Sequence, residues 1–198
     1  MARRYDHSKE VLQEMAITAG QSIIQSQGLG KFSARKVAAE IGYTVGTVYN
    51  LFGSHDNLIL HINARTLDAW FEDLQRTVAA RKTPPSFEDL ALYYIDYSAA
   101  HYNEWMALFE HSLPPDAPMP EWYIPKMRRF FELLEGMVLP YVKANRRKAR
   151  RAARVLWAGI HGICILSLSR KLDLIDSESA QILARSFVEN YLRGLNHA

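Results

Sequence analysis

The sequence predicts an all-α protein: a three-helix helix-turn-helix module at the N-terminus, followed by a larger helical bundle. Three observations carry this. Residues 32–58 read as helix, tight turn, helix. Elsewhere apolar residues recur at three- and four-residue intervals, and no run alternates as a strand would. The breaks fall at Gly, Pro and Ser/Thr clusters, where helices start and stop. The chain has 198 residues, 48% of them hydrophobic, enough for one helical domain with a sizeable core or for two small ones. Its single cysteine, Cys164, excludes an internal disulfide framework and is compatible with a reducing compartment. Residues 1–10 are polar and charged, which does not fit a signal peptide, so a cytoplasmic location is expected.

The first helix is expected from about Ser8 to Gln27, with Leu12, Ala16, Ala19 and Ile23 on one face. Arg3 and Arg4 before it could reach a minor groove as a mobile arm, although charged termini are usually just solvated. Gly28-Leu29-Gly30 breaks the helix and leaves Leu29 and Phe32 to plug the gap to the second. Ser33 caps that second helix, whose Val37, Ala38 and Ile41 share one buried face. Gly42 provides the left-handed exit and Thr44 caps the third helix, where Val48, Leu51 and Phe52 face inward. Ala38 is small where two helices crossing at a steep angle come closest, as in a DNA-binding helix-turn-helix.

Residues 42–58, Gly-Tyr-Thr-Val-Gly-Thr-Val-Tyr-Asn-Leu-Phe-Gly-Ser-His-Asp-Asn-Leu, resemble the N-terminal signature of the tetracycline-repressor-like (TetR) family of transcription regulators. In that family a small-x-Gly-Thr-apolar-Tyr core lies on the recognition helix. The resemblance implies that Val45, Gly46, Thr47 and Asn50 meet base edges in a major groove, and that Ser33, Arg35, Thr44, Tyr49 and His55 hold phosphates of double-stranded operator DNA. His55 departs from the family, which usually places Lys there, so that contact should be weaker and pH-dependent. The net charge of only +3 permits nucleic acid without arguing for it, so the DNA expectation rests on the motif.

Ser54 caps a fourth helix that keeps its apolar spacing to about residue 81, long enough to leave a module of residues 1–53 and enter a second domain of residues 54–198. Pro84-Pro85 stops it and Ser86 caps a fifth, with Leu90, Tyr94, Tyr97 and His101 in register. A short helix is expected after Asn103. Residues 113–120 hold four prolines and make a loop. Ile124-Pro125 opens the next helix, whose apolar face is Met127, Phe130, Phe131, Leu134 and Val138, with Pro140 bending or ending it. Residues 143–154 carry seven cations and no acid, which could serve as a second nucleic-acid or anion site but read more simply as solvated surface; their charge opposes the helix dipole unless something compensates it. Residues 155–169 carry no formal charge, which predicts a helix buried nearly all round, with Gly159 and Gly162 at close helix approaches. With His161 and flanking arginines the segment is too short and interrupted to span a bilayer, and no membrane role is expected. The last helix is expected to be capped at Ser177. Its surplus apolar surface, together with that of the preceding helix, suggests a homodimer built on Gly159, Ile163, Leu183, Phe187 and Tyr191.

Trp157-Ala-Gly-Ile-His161-Gly162 also resembles a Trp-x-x-x-His-Gly signature of one class of TetR C-terminal domains. The family expectation of a small-molecule effector, joined to the aromatic content of residues 93–131, selects Tyr97, His101, Trp105, Phe109, Trp122, Tyr123, Met127, Phe130, Trp157 and His161 as effector contacts for a largely apolar ligand. Together these predict a ligand-responsive regulator, most simply a repressor, with no cofactor, no metal and no enzymatic role. The alternatives are a helical metal protein or enzyme around His101, Glu104 and His111, and a DNA-architectural protein without an effector. The first has its residues in the reverse order to di-iron bundle motifs, and the aromatic content argues against the second. No phosphate loop or zinc spacing is present, and Cys164 lacks an adjacent base.

Overall fold

The computed structural model describes residues 7–175 and 178–196. Among these it is all helical, with nine α-helices and three short 3₁₀ turns. Arg3, Arg4 and Ser177 lie outside the described residues. The chain forms two compact units: Met1–Asp68 with His101–Tyr123, and Ala69–Ala100 with Ile124–Ala198.

The first unit contains α1 (Lys9–Gln27), α2 (Ala34–Glu40), α3 (Val45–Phe52), the first half of α4 (His55–Ala79) and α6 (Tyr102–Glu110). Local chemistry sets each boundary. Ser8, Ser33, Thr44 and Ser54 accept hydrogen bonds from the N–H groups of Val11, Lys36, Thr47 and Asn57, each satisfying an otherwise orphaned donor. Gly42 leaves α2 at φ +75, the left-handed turn that a side chain would strain. The core joins Ala16, Ile24, Phe32, Val37, Ala38, Val48, Phe52, Leu58 and Ile62 to Ala107 of α6. Gly20 lets Ile62 and Phe32 come against α1, where a Cβ would collide with the Ile62 side chain. Glu14 and Thr18 of α1 take Arg65 of α4 at 2.6 and 2.8 Å. The α6 helix starts at Tyr102, two residues earlier than its sequence suggests. Asn103 is already inside it, donating to the Gln25 carbonyl at 2.7 Å.

The second unit contains the rest of α4, α5 (Phe87–Ala100), α7 (Ile124–Val138), α8 (Arg146–Leu168) and α9 (Ala180–Asn196). A reciprocal cap starts α5: Ser86 Oγ accepts from Asp89 N–H at 3.1 Å and Asp89 accepts from Ser86 N–H at 2.8 Å, a bond that also holds the Asp89 carboxyl below the usual carboxylate range. After α7 the chain makes a 3₁₀ turn at Leu139–Val142 around Pro140, then passes through Lys143 and Ala144 in left-handed conformation to the Asn145 cap of α8. At α9 the cap is Ser179, which accepts from Ile182 N–H at 3.4 Å.

Contrary to its composition, α8 is not buried all round. Ala153, Leu156, Ile160 and Cys164 face the core, while Val155 and Leu166 are 41% and 42% exposed and Gly162 opens onto no neighbour. The uncharged part of α8, residues 155–168, therefore leaves one side uncovered within a protomer. Gly159 does make the expected close approach, to the Phe187 ring, where a Cβ would collide. The cations of residues 143–154 stand outward, with Ala149, Ala152 and Ala153 buried between them, and Glu135 of α7 takes Arg150 and Arg154 at 3.8 and 3.4 Å. By length and composition Arg146–Leu168 could cross a membrane; in this fold its buried stripe packs on α5, α7 and α9.

Candidate nucleic-acid interface and aromatic cavity

The amphipathic pattern of α3 puts Val48 and Phe52 into the core and leaves Val45, Gly46, Tyr49 and Asn50 exposed, with the Tyr49 side chain 43% accessible. Thr47 is half-buried, its hydroxyl 3.1 Å from that of Thr44. Ser33 and Thr44 spend an acceptor lone pair on their caps and keep a hydroxyl proton that can go to an anionic oxygen. Arg35 is exposed on α2. His55 is half-buried, its ring 5.3 Å from that of Phe32, so it is held against the core rather than extended as a lysine would be. His7, a residue the motif does not flag, bonds the Tyr43 hydroxyl at 2.9 Å and ties the entry of α1 to the turn. The result is one exposed helix face of mixed hydroxyl, amide and small apolar character on a rigid support, the chemistry that base-edge reading needs.

The chain divides the expected effector residues between its two units. His101, Trp105, Phe109, Trp122 and Tyr123 belong to the first, and Tyr97, Met127, Phe130, Trp157 and His161 to the second. Within the first, Trp105 and Tyr123 are buried core, and burial pushes the Tyr123 hydroxyl up to about 12. Phe109 packs on Trp105, and Trp122 stacks on His61 at 4.3 Å. His101 lies 3.5 Å from Glu104, but His111 pairs with Asp56 at 3.0 Å and Glu104 accepts from Gln21. The three residues of the metal alternative are thus not gathered into one cluster.

In the second unit the helices enclose an apolar cavity of about 30 Å³ lined by Phe87, Leu90, Ala91, Tyr94, Phe130, Leu134, Leu156, Trp157, Ile160 and Val188. Its polar groups form a chain. The Trp157 indole can only donate, and it bonds Tyr94. The Tyr94 hydroxyl in turn lies 2.8 Å from Nδ1 of His161, the donor being set by the His161 tautomer. Burial pushes His161 below and Tyr94 above their ordinary values. His161 stacks on Trp157 at 5.1 Å. Of the expected set, Phe130 and Trp157 line the cavity and His161 anchors its polar end. Tyr97, beside Tyr93, and Met127, half-exposed, do not line it. Tyr94 is the residue missed, since a tyrosine at helical spacing reads equally well as core. Its sequence signal was its place in the aromatic series of residues 93–131. Trp70, from the α4 portion of this unit, lies 4.6 Å from Phe130 and 6.0 Å from Tyr94, so α4 touches the cavity wall.

Residues 87–189 match the family model described as tetracyclin repressor-like, C-terminal domain, and residues 16–62 match that of bacterial regulatory proteins, tetR family. The chain is 29% identical over 192 residues, 91% of its own length and 94% of the relative's, to the HTH-type transcriptional regulator BetI of Burkholderia ambifaria. Its fold is that of a solved protein of unknown function from Rhodococcus sp. RHA1, with a TM-score of 0.74 at 20% identity over 98% of this chain and 100% of the other. It also resembles a transcriptional regulator FadR from Bacillus subtilis in complex with stearoyl-CoA, with a TM-score of 0.59 at 16% identity over 91% and 98% of the two chains. The chain belongs to the TetR family of DNA-binding, ligand-responsive transcription regulators.

Proposed function

We propose that the protein is a homodimeric, cytoplasmic repressor released from a pseudo-palindromic operator when a small, largely apolar effector enters the Tyr94/Trp157/His161 cavity. In this reading residues 1–53 read DNA, and residues 54–198 bind the effector and dimerise. The observation that carries it is the cavity itself. An apolar space whose lining includes Tyr94 and Trp157 gives a ligand area and two groups able to hydrogen-bond it, and Phe130 of its wall lies against Trp70 of α4. A helix contributing to both units can then carry a displaced Trp70 toward the reader. Two reading helices must sit about 34–36 Å apart, or a multiple, to enter successive major grooves, so a small change in spacing costs operator affinity. The dimer face is the uncovered side of α8 with Ile163, Val155 and Leu166, joined by Ile182 and Leu183 of α9. Gly159, Phe187 and Tyr191 set the α8–α9 approach beneath it.

A preference of about 1–3 kcal/mol for the wrongly spaced dimer lowers operator affinity some 5–150-fold, and linkage requires operator DNA to weaken ligand binding by the same factor. Titrating dodecanol by tryptophan fluorescence, with and without operator DNA, should show that reciprocity; equal affinities would separate the cavity from DNA control. On the DNA side, Tyr49→Phe should weaken binding to all sequences alike, whereas changes at Thr47 or Asn50 should alter preference among sequences. The dimer stands or falls on Ile163→Arg, which should give a monomer by sedimentation.

A further inference from the structure

We propose that the effector is an amphiphile with one anionic head group, entering between Phe87 and Tyr141, with its apolar part in the cavity and its head on a basic rim outside. This rests on the reading of the cavity as the effector site. The cavity, about 30 Å³, is far below the roughly 300–1,000 Å³ of a ligand site, so an occupant must open it toward adjoining space. Two of its wall residues, Phe87 and Val188, are also the wall of a surface groove of about 600 Å³ between the start of α5, the end of α7 and α9. Phe87 meets Tyr141 edge to face at 5.8 Å, and Arg185 of α9 pairs with Glu88 of α5 at 2.8 Å beside them. Arg185, Glu88 and Tyr141 reach the surface while Phe87 is buried, and both contacts join side chains, so they can part without unfolding a helix.

Tyr141 in turn is shared with a second groove, of about 470 Å³. No carboxylate lines this groove, and its charged residues are Lys143, Lys148 and Arg151 over a floor that includes Val142 and Ala152. The choice of cations is selective. Glu135 takes Arg150 and Arg154 from the same run, while Lys143, Lys148 and Arg151 pair with no carboxylate among the described residues. Lys143 is set on a rigid turn: it is left-handed at φ 51, and the turn is closed by Ala144 N–H to Leu139 O at 3.1 Å and Asn145 N–H to Val142 O at 3.1 Å. Three cations crowded near the positive end of a 23-residue helix repel one another and the dipole, and an anion placed there relieves both. The shared residues Phe87, Val188 and Tyr141 thus link an apolar hole to a cationic rim, the profile of a chain with a carboxylate or phosphate head.

The test uses the full chain and four probes below their micellar concentrations: dodecanoate, dodecyl phosphate, dodecanol and dodecylammonium, followed by tryptophan fluorescence. At least one anion should bind about tenfold tighter than dodecanol, the scale expected of three exposed charge contacts, and the ammonium should bind most weakly. Which anion wins identifies the head group. The triple variant Lys143→Gln, Lys148→Gln, Arg151→Gln should erase the advantage and leave dodecanol unchanged; none of these exposed residues is needed to fold. Equal affinity of anions and alcohol in the wild type, or an advantage that survives the triple variant, would overturn the inference and leave the cavity reading standing. Ala91→Leu, which fills the cavity, should abolish dodecanol binding; dodecanol binding it as tightly as wild type would overturn the cavity reading itself.

Discussion

In the first unit the polar side chains of α3 stand outward from an apolar cluster, whereas in the second Trp157 and Tyr94 line a small cavity and Tyr94 bonds His161. The two arrangements answer different demands. A reading surface must be rigid before it meets DNA, so its stability comes from side chains packed without gaps under α3. The proposed ligand site must open, so in that reading its stability is held in a few buried polar bonds and surface contacts that a ligand can replace.

That comparison is broken most severely at the elbow between α3 and α4. Phe52→Ala empties a buried ring position and should cost about 3–5 kcal/mol in denaturant unfolding. A loss below about 1 kcal/mol would mean that the reader is not rigidly supported. Tyr94→Phe tests the other side. It removes the hydroxyl that Trp157 and His161 Nδ1 both meet and should cost about 1–3 kcal/mol, less than the core deletion, while shifting the intrinsic fluorescence.

pH sharpens the comparison, since burial holds His61 of the first unit, beside Phe52 and Trp122, and His161 of the second, beside Trp157, below 6.5. The unfolded chain therefore binds more protons than the folded one as pH falls through 6.5, and stability should decline there. The slope of unfolding free energy against pH should shrink in His61→Phe and again in His61→Phe/His161→Gln; an undiminished slope would place the proton uptake elsewhere. The smallest effect belongs to the surface. Glu135→Gln removes the partner of Arg150 and Arg154, both more than half exposed, and should cost about 0.2–1 kcal/mol in the same unfolding experiment.

What could be read in the sequence follows the range of the interactions involved. Caps at Ser8, Ser33, Thr44, Ser54 and Ser86 act over three residues, so they and the helix-turn-helix were legible residue by residue. Trp157 and His161, one helical turn apart, were legible as a pair. Tyr94 was not, because its partner lies 67 residues away. The aromatic series misled for a related reason: its members alternate between units as the chain leaves the second at Ala100 and returns at Ile124. Uncharged composition also could not say which side of α8 a protomer covers, because an interface between copies and a core are equally apolar.

The interleaving of the two units bears on how such a protein can be recombined. Ala107, on α6, lies in the same core as Val37, Val48 and Phe52, although more than fifty residues separate them. Grafting the reader onto a different sensor by a single crossover after the helix-turn-helix would leave Leu58, Ile59 and Ile62 to be supplied by a stranger, with no counterpart for α6 above α1. A working chimera must instead exchange residues 69–100 and 124–198 together, two cassettes threaded through one host, so new pairings of operator and signal arise more readily by substitutions inside the cavity than by shuffling modules.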